Sequence, residues 1–145
     1  MRDDKYIERI QNRPVRWLKK KAKEVFHAYI RERDSKGHYF ECIACGMLKD
    51  KSQMQAGHFY PAGQYKSIEF DPVNVNGECI QCNYYSGDHL IGYRKRLIDK
   101  WGQEELARLE MKAAYEKRNG FCKLTKYELI DIIVKYRKLQ PHAAH

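Results

Sequence analysis

Apolar residues recur at helical spacing toward both ends of the chain and lose that spacing in its middle. Val15, Leu18, Ala22, Val25, Phe26, Tyr29 and Ile30 line one face of a helix predicted from about Arg13 to Asp34, with Pro14 suited to its first turn. Arg16, Lys19, Lys20, Lys21 and Lys23 fill the other face, so the helix is amphipathic with a basic outer side. From about Gly37 to Asp88 the helical period disappears and the chain becomes rich in Gly, Asn, Cys and aromatics, which predicts short strands and loops. Helical spacing returns with Leu90, Tyr93, Leu97, Ile98 and Trp101, stopped at Gly102. A second such helix, from Glu104 to about Lys117, carries Leu106, Leu109, Ala113 and Tyr115. Thr125-Lys126-Tyr127-Glu128 has the form of a capping box and opens a last helix through Leu129, Ile130, Ile132, Ile133, Tyr136 and Leu139, with Pro141 beyond its end.

The expected fold class is α+β, mostly helical and compact. It comprises a basic helical region over 1–36, a cysteine-bearing core over 37–102 and C-terminal helices over 103–145. The middle stretch buries too little apolar surface to hold itself together and would need a metal.

Charge changes this picture by supplying a partner. The 145 residues carry a formal charge of +9 and a pI near 9.3, which points to a polyanion, nucleic acid being the commonest for a small basic protein. A packing helix with a soluble face would account for the apolar stripe of the first helix, but not for the single sign of its polar side from Lys19 to Lys23, for which phosphate contact is the better reading. No apolar run is long enough to span a bilayer. Met1-Arg2-Asp3-Asp4-Lys5 has charges with no apolar stretch behind it, so it does not read as a signal peptide, and an intracellular, cytoplasmic setting is expected.

In a reducing compartment, closely spaced cysteine pairs are more often metal ligands than disulfides. Cys42-Ile43-Ala44-Cys45 and Cys79-Ile80-Gln81-Cys82 are two such pairs. Each places two thiolates on a tight turn, and together they supply the tetrahedral sulfur shell that a structural Zn²⁺ prefers. Gly46 relieves crowding as the chain leaves the first turn. An iron–sulfur cluster or a redox pair would suit separated pairs around a polar loop less well. Cys122, alone in Gly120-Phe121-Cys122-Lys123-Leu124, reads as a small buried apolar side chain.

Between the pairs lie Gln55-Ala56-Gly57-His58-Phe59 and Asn74-Val75-Asn76-Gly77-Glu78, and Asn83 follows Cys82 directly. With the cysteine pairs and the later Gly87, Tyr93, Gly102 and Leu109, these residues resemble the phage NinG/Rap recombination proteins over about Cys42 to Glu110. The order also resembles the zinc-stapled HNH, or ββα-metal, nucleases, and the zinc layout is similar to endonuclease VII-type junction resolvases. The resemblance implies an HNH-like ββα core and a metal-dependent endonuclease of branched, Holliday-junction-like DNA in a bacterial or phage-infected cell. In that scheme His58 is the general base on the first strand, Asn74 orients its ring from the connection between strands, and Asn83 offers its carboxamide oxygen to Mg²⁺ or Mn²⁺. The position before the general base in such nucleases carries a metal-binding Asp or His, and here it is Gly57. Asp88 and His89 are the nearest substitutes, with Asp71 more distant.

Plainer readings stand beside these. By type alone His58 is a half-buried histidine or an extra zinc ligand; Asn74 and Asn76 are turn residues of Asn-x-Asn-Gly; Asp88 is more readily a helix N-cap than a ligand. Backbone contacts to DNA are assigned to Lys19, Lys20, Lys23, Arg94, Lys95 and Arg96. Cutting two strands of a junction implies a homodimer. The rivals are a non-catalytic zinc-stabilised DNA-binding or accessory protein, and an adaptor whose surface is formed by Tyr39, Phe40, Phe59, Tyr60, Tyr84 and Tyr85.

Overall fold

A computed structural model describes residues 2–140. They form two units, one from the residues up to Tyr29 together with those from Cys122 onward, the other from Ile30–Phe121. The boundaries expected from composition, at 36/37 and 102/103, fall elsewhere. The reason is that the last helix joins the N-terminal ones, whereas the helix after Gly102 buries its apolar face with the cysteine-bearing segment.

The first unit contains α1 (Arg2–Ile10), the larger part of α2 (Val15–Asp34) and α6 (Lys126–Lys138). Pro14 stands just before α2 and its carbonyl accepts from the Leu18 amide at 3.1 Å. Leu18, Ala22, Val25 and Phe26 are buried along α2, and Leu129, Ile130, Ile133 and Tyr136 along α6. The Tyr136 ring meets Phe26 edge-on at 4.7 Å, a favourable aromatic geometry. The capping box forms in full: Thr125 Oγ1 accepts from the Glu128 amide at 3.1 Å and Glu128 accepts from the Thr125 amide at 3.3 Å. Helix α1 was not expected from the pattern. It is secured by Ile10, by an ion pair between Lys138 and Asp3, and by the Arg137 guanidinium over the Tyr6 ring at 3.7 Å. Cys122 corrects its expectation: it is exposed, in the non-helical segment ahead of Thr125. Pro141 lies outside the described residues.

The second unit opens with a three-stranded antiparallel meander, β1 (Ser35–Lys36), β2 (Tyr39–Glu41) and β3 (Leu48–Asp50). A separate antiparallel pair follows, β4 (Met54–His58) with β5 (Val75–Cys79), in a register that sets Met54 opposite Cys79, Gln55 opposite Glu78, Gly57 opposite Asn76 and His58 opposite Val75. Then come α3 (Ile80–Tyr85), α4 (His89–Trp101) and α5 (Gln103–Asn119). Gly102, at φ 93°, makes the sharp joint between α4 and α5. Ile43, Ile68, Val73, Tyr93, Leu97, Leu106, Leu109 and Ala113 form the core. Among the described residues no helix is long and apolar enough to cross a membrane.

Buried polar side chains take the place of regular structure between β4 and β5. Asn74 is fully buried; its Oδ1 accepts from the Tyr60 amide at 2.8 Å and its Nδ2 donates to the carbonyls of Tyr60 and Ile68, each at 3.1 Å. Asn76 and Gly77 lie inside β5, not in a turn. Asn76 Oδ1 accepts from Arg33, Lys100 and the Trp101 indole, while Asp34 accepts from the Gly77 amide at 2.8 Å. Burial alone would raise the Asp34 carboxyl, but Arg33 and Lys100 outweigh it and hold the group below its ordinary range. From α5, Glu116 accepts from the amides of Lys66 and Ser67 at 2.7 Å each.

Burial would likewise raise Glu116, but Ser67 and Lys66 hold its carboxyl below the usual range. Glu116→Ala strands two amides and should lower unfolding free energy by about 1–3 kcal/mol at neutral pH in denaturant titrations. Because the folded-state pKa is depressed, this contribution is complete above the unfolded value near ~4.3 and fades as pH falls through the folded one. The gap between wild type and variant should therefore close on acidification; a gap unchanged across that range would show that the carboxylate is not the anchor.

Candidate metal centre and the strand pair beside it

Cys42 follows β2 directly, and the chain turns back on itself before Cys45 and Gly46. The Gly46 amide donates to the Cys42 carbonyl at 2.8 Å, and its φ of 75° suits glycine. Cys79 ends β5 and Cys82 sits in the first turn of α3. The four Sγ atoms all lie within 4.8 Å of one another. A tetrahedral Zn–S shell at ~2.3 Å implies sulfur separations of roughly 3.8 Å, so the cluster has the dimensions of such a site. Amides of Cys45 and Cys79 point at Cys42 Sγ, at 3.5 and 3.3 Å.

Electrostatics favour a bound cation. Burial, with little help from the neighbouring sulfurs, pushes the Cys42 thiol up, and burial together with hydrogen bonds and charge from the other cysteines pushes Cys82 up further. Cys45 goes the other way, because the Met47 amide and the adjacent thiols outweigh its burial. Without a cation, four thiolates so close together repel; soft sulfur donors in a closed tetrahedral set suit zinc. The four cysteines can therefore hold a metal ion such as zinc. Arg96 braces this turn, donating to the Ala44 carbonyl at 2.6 Å, and a Cβ on Gly46 would come within 2.5 Å of its guanidinium. Arg96, assigned from the sequence to DNA backbone contact, is half-buried here and also supports the turn that carries Cys42 and Cys45.

His58 closes β4 and is half-buried, with its Nε2 3.0 Å from the Glu69 carbonyl. A carbonyl only accepts, so Nε2 carries the proton and the ring lone pair falls on Nδ1. Asn74 was expected to orient this ring. Its carboxamide is instead committed to Tyr60 and Ile68, and it acts one step removed by fixing the loop that presents Glu69.

Asn83 donates from Nδ2 to Gln55 Oε1 at 3.0 Å, and its Oδ1 accepts no hydrogen bond among the described residues. Gln55 stands opposite Glu78 in the strand register. Glu78 is fully buried; its Oε2 lies 2.6 Å from His89 Nδ1, and its Oε1 has no hydrogen-bond partner among the described residues. Burial raises the Glu78 carboxyl, against the opposing pull of His89. Asp88 occupies the N-cap position of α4 but makes no capping bond, and it is exposed. Asp71 is excluded as a ligand: Arg108 holds both its oxygens, at 2.6 and 3.0 Å, and Val73 donates to it at 3.0 Å. Sequence reasoning passed over Glu78, because only the strand register, which sets it opposite Gln55 and two positions from the partner of Gly57, reveals its surroundings.

A family model described as Bacteriophage Lambda NinG protein matches residues 2–143. The chain belongs to the NinG family. Proteins named ninG from Escherichia phage 933W and Escherichia phage lambda are each 32% identical to it, over 109 and 104 residues respectively. These alignments cover 75% of this chain and 52% of the 933W protein, and 72% and 49% for the lambda protein. The ninG protein of Salmonella phage P22 is 32% identical over 96 residues, 66% of this chain and 45% of its own length. The chain thus spans about half the length of these relatives. No solved structure matches. The NinG match extends well beyond the stretch from Cys42 to Glu110 that carried the resemblance, taking in both flanks.

Of the other residues expected at a site, Lys20, Lys23, Arg94 and Lys95 are exposed and Lys19 is half-buried. Arg94 lies 3.6 Å from Glu110. The aromatic set proposed as an adaptor surface does not form one: Phe40 is fully buried and Phe59 and Tyr60 pack against the core, leaving Tyr39, Tyr84 and Tyr85 exposed.

Cys79→Ser should abolish stoichiometric zinc measured by atomic absorption, and a strong chelator should have the same effect on the wild-type chain. Loss of β-sheet and α3 signal on chelation, reversed by zinc, is the expected circular dichroism result. Retention of full structure in the metal-free, reduced chain would contradict it.

Proposed function

We propose that this NinG-family chain is a metal-dependent, structure-selective DNA endonuclease acting on branched, Holliday-junction-like intermediates of phage-type recombination, with a structural zinc at Cys42, Cys45, Cys79 and Cys82. The carrying observation is the ring of His58 at the end of β4, with its proton fixed toward Glu69 and its lone pair on Nδ1. The order β4, β5, α3, with the last strand and the helix joined through Cys79 and Cys82, supports an HNH-like ββα reading.

In this scheme His58 Nδ1 takes the proton from the water that attacks phosphorus, and the P–O bond to the leaving oxygen breaks. Asn83, its NH₂ tied to Gln55, turns its carbonyl oxygen outward as a hard ligand. A Mg²⁺ or Mn²⁺ ion held there would neutralise the scissile phosphate and the developing charge on the leaving oxygen. Lys19, Lys20, Lys23, Arg94 and Lys95 contact the backbone, which positions DNA without reading its sequence. Paired incision of a junction calls for two copies of the chain.

A second reading, a zinc-stabilised DNA-binding accessory protein without catalysis, is favoured by one observation: Gly57 offers no ligand before His58.

Cleavage of a labelled four-way junction and of matched linear duplex, with Mg²⁺, Mn²⁺ or EDTA, separates the two. Metal-dependent cutting of the junction, reduced about 10²-fold or more in His58→Ala with zinc content unchanged, is expected. Cutting undiminished in that variant, or binding without cutting in every metal, would overturn the nuclease reading. Binding should also weaken steeply between low and moderate salt as counterions are released, and a flat salt response would contradict backbone contact.

A further inference from the structure

We propose that Glu78, reaching from β5 into the space beside Gly57 and held there by His89, replaces the ligand missing before His58 and forms a divalent-cation site with Asn83. The inference rests on the cation of the nuclease reading, although the site is defined by its own geometry.

Directly paired residues of an antiparallel ladder share a face. The register therefore sets Gln55, Gly57, Asn76 and Glu78 on one side of the β4–β5 pair. A Cβ added at Gly57 would lie 2.3 Å from Glu78 Oε1 and 2.8 Å from Glu78 Cβ. Gly57 does not have a positive φ, so the backbone does not demand glycine there. What demands it is the carboxylate of Glu78, which fills the volume that a side chain at position 57 would occupy.

Two neighbours fix that carboxylate and the Asn83 carboxamide. Glu78 Oε2 accepts from His89 Nδ1 at 2.6 Å, which fixes the carboxylate and leaves Oε1 as its donor atom for a cation, an outer hydrogen bond of the kind that orients ligating carboxylates. Gln55, directly across from Glu78, holds the Nδ2 of Asn83 at 3.0 Å and so fixes the direction of the Asn83 oxygen. Glu78 Oε1 itself is fully buried with no partner among the described residues. A buried carboxylate oxygen without a donor is unfavourable, and a cation satisfies it. One carboxylate and one carboxamide are hard oxygen donors, suited to Mn²⁺ or Mg²⁺ with water and a substrate phosphate completing the shell.

The test is Mn²⁺ titration of the zinc-loaded full chain, followed by electron paramagnetic resonance. Glu78→Gln keeps the shape and removes the charge; Mn²⁺ affinity should fall about 10- to 100-fold with zinc content and circular dichroism unchanged. Gly57→Asp combined with Glu78→Ala moves the carboxylate to position 57 and should restore binding. Should Glu78→Gln fail to fold, the unaltered chain still decides: trace Mn²⁺ should broaden the His89 ring signals in NMR well before those of exposed His38. Wild-type affinity in Glu78→Gln, no Mn²⁺ binding by the wild type, or His89 signals broadening no sooner than His38 would overturn the site. Mn²⁺ held through Glu78 in a chain that cuts no DNA would support the site and defeat only the nuclease reading. DNA cleavage with Mn²⁺ binding indifferent to Glu78 would do the reverse.

Discussion

Four sulfur atoms drawn from distant parts of the chain impose the constraint on which the second unit depends. Cys42 and Cys45 come from the turn between β2 and β3, Cys79 from the end of β5 and Cys82 from α3. A helix of six residues does not persist alone in water, and α3 has just that length. Its first turn is set by the two cysteines, so the direction of Asn83 follows from the thiolate cluster. The same cluster fixes the end of β5, with Cys79 opposite Met54, and the register then runs along the pair to place Gly57 and His58. A metal held by these thiolates at one end of the strand pair would thus set what is presented at the other.

The second determinant is a set of buried polar side chains that hold irregular backbone. Asn74, Asn76 and Glu116 bond main-chain groups within residues 59–74, at Tyr60, Val73 and Lys66, where no ladder supplies partners. Tyr93 adds a hydroxyl that donates to the Gly57 carbonyl at 2.6 Å. These groups order the loop that presents the Glu69 carbonyl to His58. Positioning therefore passes through two layers, thiolate cluster to strand register and buried amides to loop.

The helices were legible in the sequence because their apolar stripes repeat over many residues and their ends carry Gly102 and the Thr125 box, each a local signal. Helix α1 was not, because much of its hold comes from charged and aromatic side chains of α6 that no local pattern reveals. The cysteine cluster was legible because two closely spaced pairs restrict the chemistry before any fold is known. Asn76 read as a turn residue because Asn-x-Asn-Gly is a good turn in isolation; in the fold, Arg33, Lys100 and Trp101 make it a buried strand residue instead. Arg96 looked like its exposed neighbours until the Ala44 carbonyl claimed it. Glu78 gave no sign of its environment, since only the pairing of β4 with β5 brings it beside Gly57.

Zinc K-edge absorption spectroscopy of the reduced, zinc-loaded chain tests the thiolate cluster most directly. It should show four sulfur scatterers at about 2.3 Å and no nitrogen or oxygen in the shell, which leaves the His58 ring to its Glu69 carbonyl. A shell of three sulfurs with a nitrogen at about 2.0–2.1 Å would place an imidazole on the zinc and contradict the architecture on which every later step relies.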